Sequence, residues 1–202
     1  QISRLKDQIE SLKARRDVDE ARQAQAIETY QKALAALQAA EADRQQAADL
    51  AASQKQVPED IESVRAELRN VRSVPTIDEL ADQSLDALTQ RVEQTRTRLT
   101  DAQARLADAR DKLTRAAQRP EQLRAQLADA RNALQNLAGS NSVDLGDASG
   151  VRARAHSTLV AARRDALNAE IERLQQELSG LDAQERLLEV KRSLAETQVA
   201  RL

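Results

Sequence analysis

The sequence predicts an all-α fold of elongated, antiparallel helical hairpins with coiled-coil-like packing and no strands. Apolar residues recur at three- and four-residue steps along most of the 202 residues. Only 4 Gly and 3 Pro interrupt them. The 41% apolar content is mostly Ala and Leu beside 32% charged residues, a composition of long helices.

The elements follow in chain order. Ile2, Leu5, Ile9 and Leu12 mark a short amphipathic helix within 1–15. The pattern lapses at Arg15-Arg16-Asp17-Val18-Asp19, where Asp17 or Asp19 can cap a new helix by accepting from its first free amides. From about 19 to 56 nothing breaks a helix, and Ile27, Tyr30, Leu34 and Leu37 form its inner stripe. Val57-Pro58-Glu59 reads as a helix start, because proline lacks the amide that would be orphaned in a first turn. That helix buries Ile61, Val64 and Leu68 and stops at Ser73-Val74-Pro75. Thr76 and Glu79 make a capping-box pattern for one short turn.

Ser84 then caps a helix over about 85–118 with the clearest heptad in the chain. Val92, Leu99, Leu106 and Leu113 occupy one line, and Leu88, Thr95, Ala102, Ala109 and Ala116 the other. Arg119-Pro120-Glu121 repeats the earlier proline mark. The helix after it carries Leu123, Leu127, Ala130, Leu134 and Leu137 and ends at Gly139. Residues 139–150 hold three of the four glycines and read as the one true loop. The last long helix, about 151–178, buries Leu159, Leu167, Ile171, Leu174 and Leu178. Ser179-Gly180 reads as its stop, with Asp182 and Glu185 capping a successor. Leu167, Leu174, Leu181 and Leu188 nonetheless keep a seven-residue step across Gly180, which a continuous helix would also produce.

The two proline marks suggest an internal repeat, a helical hairpin used at least twice. The expected organisation is one domain over 1–202, with a short helix (1–15) and hairpins at 19–72, 76–138 and 151–202, the last turning near 179–181. Six or seven helices follow from it.

The inventory excludes several chemistries. With no Cys and one His there is no expected zinc, iron–sulfur or haem site, and no disulfide. A single aromatic leaves no platform for stacked bases, and 31 basic against 33 acidic residues give no global field for a polyanion, so nucleic acid is not an expected partner. No apolar run approaches the ~20 residues that span a bilayer. His156 has no second ligand and no nucleophile pattern around it, and reads as a partly exposed helix residue. Glu170 with Glu172, and Asp108 with Asp111, lie on polar faces, whereas acid–base catalysis requires a pocket that shifts a pKa. Arg91, Arg98, Arg105, Lys112 and Arg119 recur every seven residues, with Arg96 and Arg110 on the other flank. They read either as a phosphate-binding stripe or, preferred here, as partners of acids on a neighbouring helix. The loop at 139–150 has neither a phosphate-loop nor a calcium-loop pattern. No catalytic, cofactor-binding or metal residue is therefore expected, and the chain does not read as an enzyme.

Residues 84–137, SLDALTQRVEQTRTRLTDAQARLADARDKLTRAAQRPEQLRAQLADARNALQNL, resemble the N-terminal helical region of the large MscS-like mechanosensitive channels, the potassium-efflux KefA type of Gram-negative bacteria. Residues 166–180, ALNAEIERLQQELSG, resemble the same region through their Leu-Asn-Ala-Glu-Ile core. The resemblance is good over 84–202 and thin over 1–80. It implies a multipass inner-membrane parent that opens under tension and releases solutes on osmotic downshock. This chain would be a periplasmic extension of it, exported by a signal peptide already removed. Its partners would be the remainder of its own subunit, with self-association or other periplasmic proteins as further possibilities. The pore-lining helix has no counterpart here, so no gating residue carries over. The label "porin" attached to this region finds no strands to close a barrel.

Starting at Gln1 and stopping inside a heptad, the chain reads as a piece of a longer protein. Two other classes remain open at this stage: a cytoplasmic coiled-coil scaffold or tether, and a periplasmic adaptor hairpin of an export system.

Overall fold

The computed structural model describes residues 1–15, 19–71, 83–139 and 150–202. They form four helices and no strand: α1 (Ile2–Ala14), α2 (Glu20–Arg69), α3 (Leu85–Gly139) and α4 (Val151–Arg201). The all-α fold expected from the apolar periodicity is the fold observed. Its starts follow local chemistry. Asp19 Oδ1 accepts from the Arg22 amide at 3.1 Å, and Ser84 Oγ from the Ala87 amide at 3.3 Å. Each thereby pairs one of the amides that a helix start leaves without a partner. Asp17, the Thr76–Glu79 capping pattern and the 140–149 part of the loop lie outside the described residues.

The interior breaks differ from expectation. Pro58 lies inside the 50 residues of α2, and Pro120 inside the 55 residues of α3. Gly180 lies inside the 51 residues of α4, and no glycine among the described residues has a positive φ. The stretches read as hairpins at 19–72, 76–138 and 151–202 are thus each traversed by one long helix, and six or seven helices reduce to four among the described residues. A proline in a helix interior costs ~3 kcal/mol by removing a bond and crowding the preceding turn. Packing on both sides offsets it: Val57 and Val64 flank Pro58 with 4% and 9% exposure, and Leu123 after Pro120 has none. The seven-residue Leu step across Gly180 marks a continuous helix, and Asp182 and Glu185 are interior to it.

The chain divides into two compact units, each built from separate stretches. Unit 1 comprises Gln1–Ala51 and Gln122–Leu178, and unit 2 comprises Ala52–Glu121 and Ser179–Leu202. This differs from hairpins that follow one another along the chain.

In unit 1, α1 folds back antiparallel on α2. The Gln23 side-chain amide donates to the carbonyls of Leu12 and, at 3.1 Å, Arg15, pairing oxygens that the end of α1 leaves free. Leu5, Ile9 and Leu12 enter one cluster with Ala26, Tyr30 and Ala33 of α2 and Ala155, Leu159 and Ala162 of α4. α2 and α4 run parallel here, since Tyr30 shares this cluster with Leu159, while further along both helices Asp43 pairs with Arg173. The innermost residues are small. Ala26, Ala33 and Ala40 on α2, and Ala155, Ala162 and Ala169 on α4, are at most 3% exposed and recur every seven residues. Alanine at such a seam lets backbones approach closely. Of the larger residues expected inside, Tyr30, Leu159 and Leu174 are buried, whereas Ile27, Leu34, Leu37, Leu167, Ile171 and Leu178 are half-buried beside the Ala lines.

In unit 2, α2 and α4 are again parallel: Gln54 lies against Gly180, and the Arg201 guanidinium donates to the Val71 carbonyl. α3 runs antiparallel to α4, because Arg110 pairs with Glu196 while the earlier Arg98 and Arg105 lie beside Gln198 and Leu202.

Candidate interaction surface

The half of α3 in unit 2 presents three adjacent lines. On the inner line Ala102 and Ala109 are buried, with 3% and 5% exposure. On one side of them Leu99, Leu106 and Leu113 are half-buried. On the other side Arg91, Arg98, Arg105 and Lys112 are exposed. Toward the start of the helix the cover thins, leaving Leu85 78% and Val92 51% exposed.

Four members of the basic line do not pair as its spacing suggested. Lys112 pairs with Asp108 of its own helix at 2.7 Å, and Arg91, Arg98 and Arg105 form no ion pair with any described residue. On the other flank a cation does reach a neighbouring helix: Arg110 meets Glu196 at 3.2 Å, and Arg192 approaches the same carboxylate at 3.8 Å. Arg98 and Arg105 instead border a cleft of about 190 Å³ with Asp101, Val71, Gln198 and Leu202. Asp101 between the two arginines offsets part of their charge, so the cleft is polar rather than strongly positive.

The remaining candidates have ordinary surroundings. His156 is half-buried on α4. Asp108 and Asp111 pair with Lys112 and Arg115 one turn on in their own helix. No polar or charged residue among those described is fully buried. Strong pKa shifts arise from burial or from close uncompensated charge. Among the described residues, two clear shifts have simple causes. Burial pushes the Tyr30 phenol up, partly offset by the Arg154 charge, and the Lys32 ammonium holds the Glu28 carboxyl below its usual range. A concavity of about 640 Å³ in unit 1 is open, and Arg4, Gln8, Ser157 and Asp165 line it together with Leu5, Leu37 and Ala162. No described group of three or more His, Cys, Asp or Glu could hold a metal ion.

What the described residues offer is helix faces. The model of the mechanosensitive ion channel porin domain matches residues 8–202. The chain belongs to that family. No curated protein and no solved structure matches it. The family match extends the resemblance seen over 84–202 back through α2 and most of α1. This porin domain contains no strand among its described residues, and no described helix is long and apolar enough to cross a membrane. The Ala seams that set its packing went unnoticed on α2 and α4, where sequence reasoning followed the larger side chains. Their signal was present as alanine at every seventh position, 26 to 47 and 155 to 169.

Proposed function

We propose that this porin domain is a non-catalytic, modulatory extension on the periplasmic side of a mechanosensitive channel in the bacterial inner membrane, acting in solute release on osmotic downshock. The observation that carries the reading is the family match over residues 8–202 of a chain whose described helices are all too polar to span a bilayer. Conduction requires a water-lined path across the membrane, and irregular or polar backbone is tolerated there only inside protein. The tension-sensitive gate then belongs to another part of the subunit, and the helices here act on it by making different contacts in its closed and open states.

Patch-clamp of spheroplasts carrying the full-length channel, or one lacking residues 1–202, tests this. Tension-activated current persists in the truncated channel, with a changed threshold or partner dependence. Correctly inserted truncated protein without current would replace modulation by an essential role in gating. Location is tested separately. These 202 residues contain no cysteine, so Ala104→Cys on the exposed face of α3 gives the domain a single thiol, in a channel whose other parts have been freed of cysteine. An inner-membrane-impermeant maleimide labels it in cells with a permeabilised outer membrane, and labelling only after lysis would place the domain in the cytoplasm.

A further inference from the structure

The two proline marks remain unexplained once neither is a helix start. Each removes one backbone hydrogen bond from a continuous helix, the bond to the carbonyl four residues back: Gln54 for Pro58 and Ala116 for Pro120. Their positions in unit 2 are related through α4. Gln54 lies on Gly180, and α2 runs parallel to α4, so Pro58, four residues on, stands level with about Gln184. Arg110 pairs with Glu196, and α3 runs antiparallel to α4, so Pro120, ten residues on, stands level with about Arg186. Both prolines therefore share one level of the bundle. Gly180 lies only ~6–9 Å from it along α4, at 1.5 Å per residue.

From this coincidence we propose that the level of Pro58, Pro120 and Gly180 is a flexing joint, at which all three helices of unit 2 bend together. A lone proline in a bundle is splinted by neighbours with intact hydrogen-bond ladders. Here the splint is missing, because each helix is weakened within about one to two turns of the same level. Proline deletes a bond in α2 and in α3, and glycine carries the least helix preference short of proline in α4. The Gly180 position lacks a side chain where the Gln54 side chain crosses it, so the nearest neighbour of the α4 backbone at that point is a flexible amide. Sharp helix bends arise at such sites, at proline and at glycine, rather than along regular turns.

Hydrogen exchange read by mass spectrometry on the folded 202-residue chain tests the joint. Amides in 117–121 and 179–184 exchange ~10-fold or more faster than those in 102–109 and 190–197, which lie in the same helices and the same unit. In the Pro58→Ala, Pro120→Ala double variant the difference shrinks several-fold, including in α4, which carries neither substitution. Circular dichroism melting of the variant confirms that it is folded, and each single substitution provides the comparison if the double variant is not. Uniform protection along α3 and α4 in the original chain would overturn the joint. So would fast exchange in α4 that ignores the loss of both prolines, since the helices would then yield independently.

Discussion

Arg173 of α4 donates through Nε to Asp43 of α2 at 2.6 Å, and its Nη1 lies 3.7 Å from Glu177 one turn on. With side chains 19% and 22% exposed, the Arg173–Asp43 pair is among the better-shielded ionic links between helices in unit 1. Together with the more exposed Arg44–Asp165 pair, it sets the parallel register of two helices whose innermost line is mostly alanine.

Removing this cation takes from the half-shielded Asp43 carboxylate its partner on α4. Arg173→Ala should destabilise the fold by ~2 kcal/mol, the scale of a charge-assisted hydrogen bond lost with its partner left behind. Lys112→Ala, which breaks an exposed pair within one helix, should cost under ~0.5 kcal/mol. Urea unfolding of both variants gives the comparison, and equal costs would deny the inter-helix pair its role.

The Ala seams make the opposite demand. Ala33 and Ala162 have 0% and 3% exposure in one cluster, so a larger side chain has nowhere to go without separating α2 from α4. Ala33→Leu should destabilise by ~1–3 kcal/mol, well beyond the small deficit of leucine against alanine in helix preference. Ala104→Leu on the exposed face of α3 should be near neutral. A thermal melt in which Ala33→Leu is stabilising would show that the seam has room.

These packing details mark the limit of what the sequence discloses. Helix identity was legible because apolar spacing and scarce glycine act locally, and the Asp19 and Ser84 caps were legible because a cap involves only three neighbouring residues. Pro58, Pro120 and Gly180 were misread for the converse reason. Whether a proline starts a helix or sits inside one depends on burial of Val57, Val64 and Leu123 against other helices, and that is not a local property. The basic line of α3 was placed correctly on one side of the Ala seam, but its partners depend on which acids face it, and none reaches Arg91, Arg98 or Arg105 among the described residues.

Gly180 offers a test of close approach without positive φ. A Cβ built there would meet Gln54, whose Cγ would lie 2.8 Å away and whose amide would be closer still. Gly180→Ala should therefore gain less than the ~1 kcal/mol that alanine normally brings to a helix interior, or lose stability, because Gln54 must leave its position. In a Gln54→Ala background the full gain should return. A double-mutant cycle by urea unfolding reads the coupling, and additive effects would show that Gln54 moves aside freely.

Tyr30, the sole aromatic residue, makes the pH response of unit 1 readable. It is 7% exposed, and burial raises its pKa above the usual 10.0, with Arg154 lowering it in part. In the unfolded chain the phenol loses its proton near its usual value, while the folded chain retains it to higher pH. Above that value the folded state thus binds more protons than the unfolded one, and stability falls as pH rises. The contribution is fully present below pH 10 and is lost as pH climbs through the folded value. Absorbance near 295 nm follows this one phenol directly, and its midpoint should lie above that of the urea-unfolded chain. Arg154→Gln should move it higher, since a cation that favours the phenolate is gone. Tyr30→Phe should remove the phenol's share of the alkaline loss of stability. A folded midpoint at or below the unfolded one would mean that solvent reaches the phenol and that the cluster around Tyr30 is open.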